Sequence, residues 1–321
     1  MGDVAILTPV LKALFKHNKD VKITILTQKF FTPIFKEFKN VTIYPVDKEG
    51  KHKGFLGLFK LYRELKPLHF TAIADIHNVL RSNILKILFF NKKCIQIDKG
   101  RKEKKELISK ESFKQLKTSH ERYADVFRKL GFIIDLSNPI FPEKKSIPTA
   151  FKNIIKTKQK TIGIAPFAAH QSKMYSLEKM KIVVEQLSKN YTILLFGGKS
   201  DIKQLETLRT NQKIYLVAGK LNFKEELDTI SNLDCMLSMD SGNAHLAAMY
   251  GVKVITIWGV THPFAGFSPF NQPNDYALLA DTKEFPLVPT SIYGNKYPQE
   301  YLHCADSIDP EQIIKKIISI L

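Results

Sequence analysis

The sequence predicts an α/β protein with two Rossmann-like domains that face each other. Short runs rich in β-branched residues alternate with stretches of helical periodicity, which is the pattern of parallel α/β sheets. The alternation occurs in each half of the 321-residue chain, which is long enough for two domains. A stretch with Pro139, Pro142 and Pro148 separates the halves. We therefore predict an N-terminal domain over 1–145 and a C-terminal domain over 146–321, whose last helix is a candidate to pack back on the N-terminal domain.

The first half contains four predicted strands and one clearly amphipathic helix. Phe55–Leu65 places apolar residues at helical spacing. A second helix is predicted from Val4 to about Phe15, with no strand before it. A doubly wound domain normally begins with a central strand that feeds its first helix, and no such strand precedes this helix in the given chain. The predicted strands are Val21–Thr27, Val41–Val46, Ala72–Ile76 and Cys94–Ile97.

The second half repeats this scheme with five predicted strands. The last helix is predicted to start with Asp309 as N-cap, Pro310 at the first position and Gln312 completing a capping box, and to run to Leu321. The predicted strands are Thr161–Ala165, Tyr191–Phe196, Ile214–Val217, Asp234–Ser238 and Val252–Ile257. The other predicted helices are Leu177–Leu187, Asn222–Ser231 and Gly242–Tyr250.

The net charge of +18 is the strongest compositional signal. It predicts an acidic partner such as nucleic acid, an anionic membrane surface or a phosphorylated substrate; a lysine-rich proteome is the simple alternative. The basic stretches lack the interleaved aromatics and glycines of an RNA-recognition module. Three distant cysteines, Cys94, Cys235 and Cys304, argue for reduced thiols in a cytosol and against a disulfide framework or a zinc site. No apolar run approaches the roughly 20 residues that span a bilayer.

The segment Ser238–Ala248 is the first candidate site, because it joins a predicted strand to a predicted helix. Open α/β sheets bind ligands where strands end and helices begin, and a helix N-terminus suits phosphate. Asp240 or Ser241 is expected to cap the helix, Gly242 permits close backbone approach, and His245 falls near the same end. The plain alternative is an ordinary cap with His245 as a hydrogen-bonded core residue.

Three further residues follow or precede predicted elements in the same way. Lys173 lies between a strand and a helix and is a candidate point charge for a diphosphate, although such a lysine is usually only solvated. Gly197 ends another strand. If a strand preceded Asp3, this carboxylate would stand at the strand's end as a candidate general base; the plain alternative is that Asp3 merely caps the first helix. No D-x-D pair lies beside a strand end and no His/Cys cluster has metal-ligand spacing, so a metal-independent site is the simpler interpretation.

Several short segments occur in a characteristic order along nearly the whole chain. They are Met1-Gly2-Asp3-Val4 with Pro9, Asp75-Ile76-His77 with Arg81-Ser82, His120-Glu121-Arg122-Tyr123, Lys173 before an aromatic, Phe196-Gly197-Gly198, Ala218-Gly219-Lys220-Leu221, Asp240-Ser241-Gly242 with His245-Leu246-Ala247-Ala248, and Trp258-Gly259-Val260-Thr261-His262-Pro263. Together they resemble the lipopolysaccharide heptosyltransferase family, glycosyltransferase family nine. The resemblance implies the GT-B fold of two Rossmann-like domains.

The resemblance also implies an inverting transfer of a sugar from a nucleotide-diphosphate donor, without a metal or other cofactor. It makes Asp3 the catalytic general base and Lys173 the cation that neutralises the donor phosphates. The other donor-binding residues that it implies are Asp240, Ser241, Gly242, His245, Gly197 and Thr261. The N-terminal domain would then serve the acceptor and the C-terminal domain the donor.

The implied substrates are ADP-heptose, as the favoured donor, and an anionic, lipid-linked saccharide of the lipopolysaccharide core. Such an acceptor places a cytoplasmic enzyme in peripheral contact with the inner face of the membrane, with no nucleic-acid partner.

Ala168 and Ala169 replace hydroxyl residues that often precede the lysine in the family, and Tyr175 replaces the usual tryptophan after it. The family's first strand precedes its Gly-Asp, so we expect Met1 to be an internal methionine of a product that starts about ten residues upstream. Ala168, Ala169 and the missing strand support an alternative function, a non-catalytic sugar-nucleotide-binding protein or an inactive transferase relic. A nucleic-acid-binding protein is the remaining class, and only the charge supports it.

Overall fold

A computed structural model describes residues 1–155 and 159–321, whose contacts form two compact units. The C-terminal unit comprises residues 1–6, 101–118 and 141–321, and the N-terminal unit comprises residues 7–100 and 119–140. The predicted domain boundary at residue 145 stays a prediction, since contacts assign two earlier segments to the C-terminal unit. Within the described ranges, no helix combines the length and the apolar composition that crossing a bilayer requires.

The N-terminal unit contains four short strands, β1 (Ile23–Thr27), β2 (Val41–Pro45), β3 (Ala72–Asp75) and β4 (Lys93–Gln96). They form two separate parallel pairs: β1 with β2, and β3 with β4. The helices of the first 140 residues are α1 (Gly2–His17), α2 (Thr32–Phe35), α3 (Gly54–Leu65), α4 (Leu80–Leu88), α5 (Arg101–Ser109) and α6 (Ser119–Lys129). Of these, α5 and the first residues of α1 belong to the C-terminal unit.

A small apolar cluster holds α3 to its neighbours in the N-terminal unit. Leu58, Leu61 and Leu65 follow one face of α3 at a spacing of three to four residues, and they are buried together with Phe89. These positions share one face of the helix, which is the packing face. The predicted helix is confirmed, but Phe55 and Phe59 of its predicted apolar set are exposed and lie outside this face.

The C-terminal unit is built around six parallel strands, β5 (Thr161–Ala165), β6 (Thr192–Leu195), β7 (Ile214–Leu216), β8 (Cys235–Met239), β9 (Lys253–Trp258) and β10 (Ala277–Leu279). Their order in the sheet is β10-β9-β8-β5-β6-β7. Ile162 of β5 lies opposite Ile193 of β6 and Cys235 of β8. Every residue of β5, β6 and β8 is buried, as expected for parallel strands covered by helices on both faces.

The helices among the described residues after 141 are α7 (Lys152–Ile155), α8 (Leu177–Ser188), α9 (Ile202–Glu206), α10 (Phe223–Ile230), α11 (Gly242–Ala248) and α12 (Pro310–Ile320). The final helix, α12, packs against α8 and contributes Ile313 and Ile317 to the core of the C-terminal unit. Its predicted capping box is wrong, because the Asp309 carboxylate accepts a hydrogen bond from the Glu311 amide instead. Asp309 is nevertheless the N-cap, followed by Pro310 as predicted.

The sheet order creates a topological switch between β5 and β8. The chain runs from β5 to β6 and β7 on one side, then returns to place β8, β9 and β10 on the other. The loops that follow β5 and β8 therefore diverge, and such a divergence is where open α/β sheets bind their ligands. The fold alone points to the carboxyl ends of these two strands.

The α/β class is confirmed, and every strand and helix that the sequence predicted is present within two residues at each end. The edge strand β10 was not predicted. It consists of Ala277, Leu278 and Leu279 and contains no β-branched or aromatic residue, whereas the equally short β7 begins with Ile214 and Tyr215.

Candidate functional site

Residues that follow three neighbouring strands meet at the carboxyl-end edge of the C-terminal sheet. Lys173 follows β5, Asp240 follows β8 and Thr261 follows β9. Lys173 Nζ lies 2.7 Å from Asp240 Oδ2, and the Thr261 hydroxyl donates to the same oxygen over 2.9 Å. The sequence therefore brings together a cation, a carboxylate and a hydroxyl from segments up to 88 residues apart.

The ion pair is largely withdrawn from solvent. Only 13% of the Lys173 side chain and 8% of the Asp240 side chain are exposed, and Thr261 is buried. A short, charge-assisted hydrogen bond in such surroundings is stronger than a solvated surface pair. The ammonium carries three N–H donors, so an anion can be bound beside the carboxylate.

Close backbone contacts fix the position of Lys173. The stem of Lys173 lies against Gly294, where an added Cβ would be 2.5 Å from Lys173 Cδ. The Ser172 hydroxyl donates to the Gly294 carbonyl over 2.5 Å. On the other side, Gly259 approaches so closely that an added Cβ would be 2.3 Å from the Ser172 carbonyl oxygen. Glycine is required at both positions by this packing, and Gly294 also has a φ of +88°.

His245 is buried in α11 beside the same carboxylate. Its ring is covered by Gly2, where an added Cβ would be 3.4 Å from His245 Cδ2. Burial lowers the pKa of His245 to about 4, although the nearby carboxylates of Asp240 and Asp3 act in the opposite direction. The imidazole is therefore neutral near pH 7, able to donate and accept hydrogen bonds without adding charge.

The junction between β8 and α11 is built differently from the sequence-based expectation. Ser241 is the N-cap residue of α11, but neither Ser241 nor Asp240 forms the expected side-chain cap. The Ser241 hydroxyl lies 3.0 Å from the Ser238 hydroxyl, and Asp240 is engaged by Lys173 and Thr261. The charge on Lys173, from another strand, draws the carboxylate away from its own helix. The Met1 side chain lies against Gly242, where an added Cβ would be 2.8 Å from Met1 Cε.

The remaining predicted residues lie apart from the ion pair or at its margin. Gly197 follows β6, which lies on the opposite side of β5 from β8. In the turn after β6, the Gly198 amide donates a hydrogen bond to the Asp201 carboxylate over 2.7 Å. Asp3 is exposed in the first turn of α1, next to the Gly2 that covers His245. The catalytic and donor-binding roles of all these residues stay predictions.

Sequence reasoning missed the residues that support Lys173. Ser172 and Gly294 are 122 positions apart, and nothing in the spacing of either residue signals the contact. In the described part of the chain, no group of three or more His, Cys, Asp or Glu side chains has the arrangement of a metal site.

Comparisons with known proteins agree with this architecture. The solved structure of the glycosyltransferase family 9 protein from Veillonella parvula has a TM-score of 0.76 at 19% identity and covers 99% of this chain and 94% of that one. The structure of the Escherichia coli heptosyltransferase WaaC with ADP has a TM-score of 0.71 at 16% identity, and the match covers 100% of this chain and 97% of that one. These likenesses show that the fold is GT-B.

The family follows from the sequence match. A model of glycosyltransferase family 9 (heptosyltransferase) matches residues 58–286, well over half of the chain. The lipooligosaccharide heptosyltransferase 2 of Campylobacter jejuni is 25% identical over 330 residues, covering 100% of this chain and 95% of the relative. The chain belongs to glycosyltransferase family 9 and is a glycosyltransferase. The predicted resemblance and the predicted enzyme class are confirmed.

We expect the Lys173–Asp240 pair to be strongly coupled in stability. Lys173→Met leaves a buried carboxylate without its cation and should lower the free energy of unfolding by about 3 kcal/mol, while the double variant Lys173→Met/Asp240→Asn should lose less than the sum of the two single losses. Urea denaturation of all four proteins gives the coupling energy.

The exposed pair Lys315–Glu311, 2.9 Å apart, is the matched control. Lys315→Met should change the free energy of unfolding by no more than about 0.5 kcal/mol. Additive losses in the Lys173–Asp240 cycle, or a Lys173→Met loss as small as the control, would contradict a coupled, desolvated pair.

Proposed function

We propose that this enzyme transfers heptose from ADP-heptose to a phosphorylated saccharide of the lipopolysaccharide core, with inversion at the anomeric carbon and without a metal ion. The observation that carries the proposal is the Lys173 ammonium, held by Asp240 at the switch between β5 and β8. Support for the sugar comes from the relatives, which are named as heptosyltransferases, and from a solved neighbour that contains ADP.

The chemistry of the transfer explains why a fixed cation is needed. When the bond between the anomeric carbon and the diphosphate oxygen breaks, negative charge accumulates on the leaving nucleoside diphosphate. A preorganised ammonium in a site with little water stabilises that charge without reorganisation during the reaction. Asp240 contributes by orienting Lys173, and Thr261 holds the carboxylate in place.

Asp3 is proposed as the general base. The oxygen of the acceptor hydroxyl attacks the anomeric carbon, and the Asp3 carboxylate takes the hydroxyl proton as the bond to the diphosphate breaks. Asp3 is exposed to solvent, and Gly2 beside it contacts the ring of His245. The neutral imidazole of His245 is proposed to hydrogen-bond the donor, because burial keeps it uncharged.

The acceptor accounts for the charge of the protein. A phosphorylated, lipid-linked saccharide is strongly anionic, and a net charge of +18 attracts it through a field that salt screens. We place the enzyme in the cytoplasm, in peripheral contact with the inner face of the membrane that carries this acceptor.

Donor binding provides the first test. Calorimetric titration should show ADP and ADP-heptose binding more tightly than UDP or GDP, and Lys173→Ala should weaken ADP-heptose at least tenfold, because one charge-assisted contact of about 1.5–3 kcal/mol is lost. Lys181→Ala, an exposed lysine on α8, is the control and should leave binding unchanged.

Two results would count against this donor site. Equal affinity of the Lys173→Ala variant would remove Lys173 from the site. Failure of the folded wild-type protein to bind any nucleotide would favour an inactive relic, the function that Ala168 and Ala169 support.

Catalysis provides the second test. Asp3→Asn should lower kcat about 100-fold or more in heptose transfer to a lipid A–core acceptor, while the Kd of ADP-heptose stays within about twofold, because the base acts on the acceptor. Asp20→Asn, at an exposed aspartate, is the control, and EDTA should leave the wild-type rate unchanged. A kcat of the Asp3→Asn variant within about threefold of wild type would exclude Asp3 as the base. Loss of wild-type activity in EDTA would show that the enzyme needs a metal ion and would leave the other parts of the proposal standing.

A further inference from the structure

Helix α3 carries an exposed apolar stripe on the face opposite its packing face. Phe55 is 65% exposed, Leu56 83% and Phe59 44%, whereas Leu58 and Leu61 are buried. At about 100° per residue, the three exposed residues fall within a sector of about 100° on the helix surface. They are therefore one continuous surface and not scattered exposed side chains, which would need no explanation.

The neighbouring helix α4 also exposes apolar side chains. α3 packs against α4, and Leu80 and Ile87 of α4 are 77% and 70% exposed. Just beyond α4, Phe90 is 87% exposed. Ring contacts hold this end of α4 to α3 from within: Phe59 lies 6.0 Å from Tyr62, and Tyr62 lies 4.7 Å from the buried Phe89, measured between ring centroids.

Basic residues accompany the stripe. Residues 47–66 contain six lysine and arginine side chains and three acidic ones, a net charge of +3. At helical spacing, Lys60 and Arg63 fall on the same side of α3 as the stripe, and Lys53 immediately precedes the helix. The one acidic residue of α3, Glu64, is engaged elsewhere.

The engagement of Glu64 fixes the segment that leads into α3. Glu64 lies 2.6 Å from Lys51 Nζ and 3.0 Å from the ring of the buried His52, and it accepts from the Tyr44 hydroxyl. Arg81 of α4 donates to the His52 carbonyl. The stripe is thus presented on a helix whose start is held by a polar network, not on a loose loop.

We infer that the surface formed by Phe55, Leu56 and Phe59, with its flanking lysines, docks on an anionic lipid bilayer. Exposed phenylalanine and leucine on one helix face insert at the boundary between headgroups and acyl chains, while lysine and arginine beside them contact anionic headgroups. The mixture of large apolar and basic residues, without a free acidic residue on this face of α3, matches such a bilayer in both respects.

The inference deepens the proposed function, on which it rests only for the location of the acceptor. α3 follows the carboxyl end of β2, the kind of edge at which α/β domains bind ligands. Docking through α3 would bring that edge to the surface in which a lipid-linked acceptor is embedded.

Co-sedimentation of the full chain with vesicles tests the inference. Vesicles of phosphatidylcholine, with or without about 30% phosphatidylglycerol, should differ at least tenfold in the fraction of protein that they bind, and salt should weaken the binding. Phe55→Ser/Leu56→Ser should lower partitioning into the anionic vesicles at least tenfold. Lys53→Gln/Lys60→Gln should lower it about fivefold for each charge removed, from about 1 kcal/mol per basic residue.

Matched controls distinguish binding through the α3 surface from nonspecific hydrophobic adsorption and from attraction by the net charge of the protein. Ile182→Ser/Ile318→Ser removes two exposed apolar residues of α8 and α12, and Lys181→Gln/Lys203→Gln removes two exposed lysines of the C-terminal unit. Both controls should bind vesicles within about twofold of wild type. Because Phe55 and Leu56 are exposed, their substitution should leave the midpoint of thermal unfolding unchanged.

Three outcomes would overturn the inference: no binding to anionic vesicles, equal binding to neutral ones, or losses as large in the controls as in the α3 variants. The fate of the proposed function is read separately, from calorimetric binding of ADP-heptose without vesicles. Vesicle binding through α3 without nucleotide binding would support the docking surface and refute the transferase proposal. Nucleotide binding without vesicle binding would support the transferase proposal and refute the docking surface.

Discussion

The ion pair between Lys173 and Asp240 joins the loops after β5 and β8, the two strands between which the sheet changes direction. Divergence of loops at such a switch leaves room for a ligand, and the pair places one positive and one negative charge there. Because both side chains are largely buried, neither is stable without the other. The position of Lys173 therefore depends on Asp240, on Thr261 and on the close approach of Gly294.

The surroundings of the pair suit the chemistry of a nucleotide-sugar transferase. His245 is kept neutral by burial, so it adds no charge beside the ammonium of Lys173, which can stabilise a developing diphosphate charge. A desolvated cation stabilises such a charge more strongly than a solvated one does. The proposed membrane contact rests on the net charge of +18 and on the stripe on α3, whereas the proposed donor site rests on Lys173, so the two proposals depend on different residues.

Much of this architecture could be predicted from the sequence, because strands and helices leave local patterns. The run Thr161–Ala165 was predicted residue for residue, since a short β-branched segment between breakers has few other interpretations. The location of Lys173 and Asp240 at the same edge of the sheet could also be predicted, because both follow strands of a parallel sheet. Their direct contact could not, because a sequence gives no distance between residues 67 positions apart, and a carboxylate before a helix normally predicts a cap. The contact between Gly294 and the stem of Lys173 could not be predicted either, because the two residues are 121 positions apart in the sequence.

A crystal structure of the protein with ADP bound would show directly whether Lys173 serves the donor. We expect diphosphate oxygens within about 3 Å of Lys173 Nζ, at the carboxyl ends of β5 and β8, with Asp240 still in contact with Thr261. A nucleotide bound elsewhere, or bound at this edge with Lys173 still directed only at Asp240 and away from the phosphates, would contradict the central claim that this ion pair positions the cation for the donor.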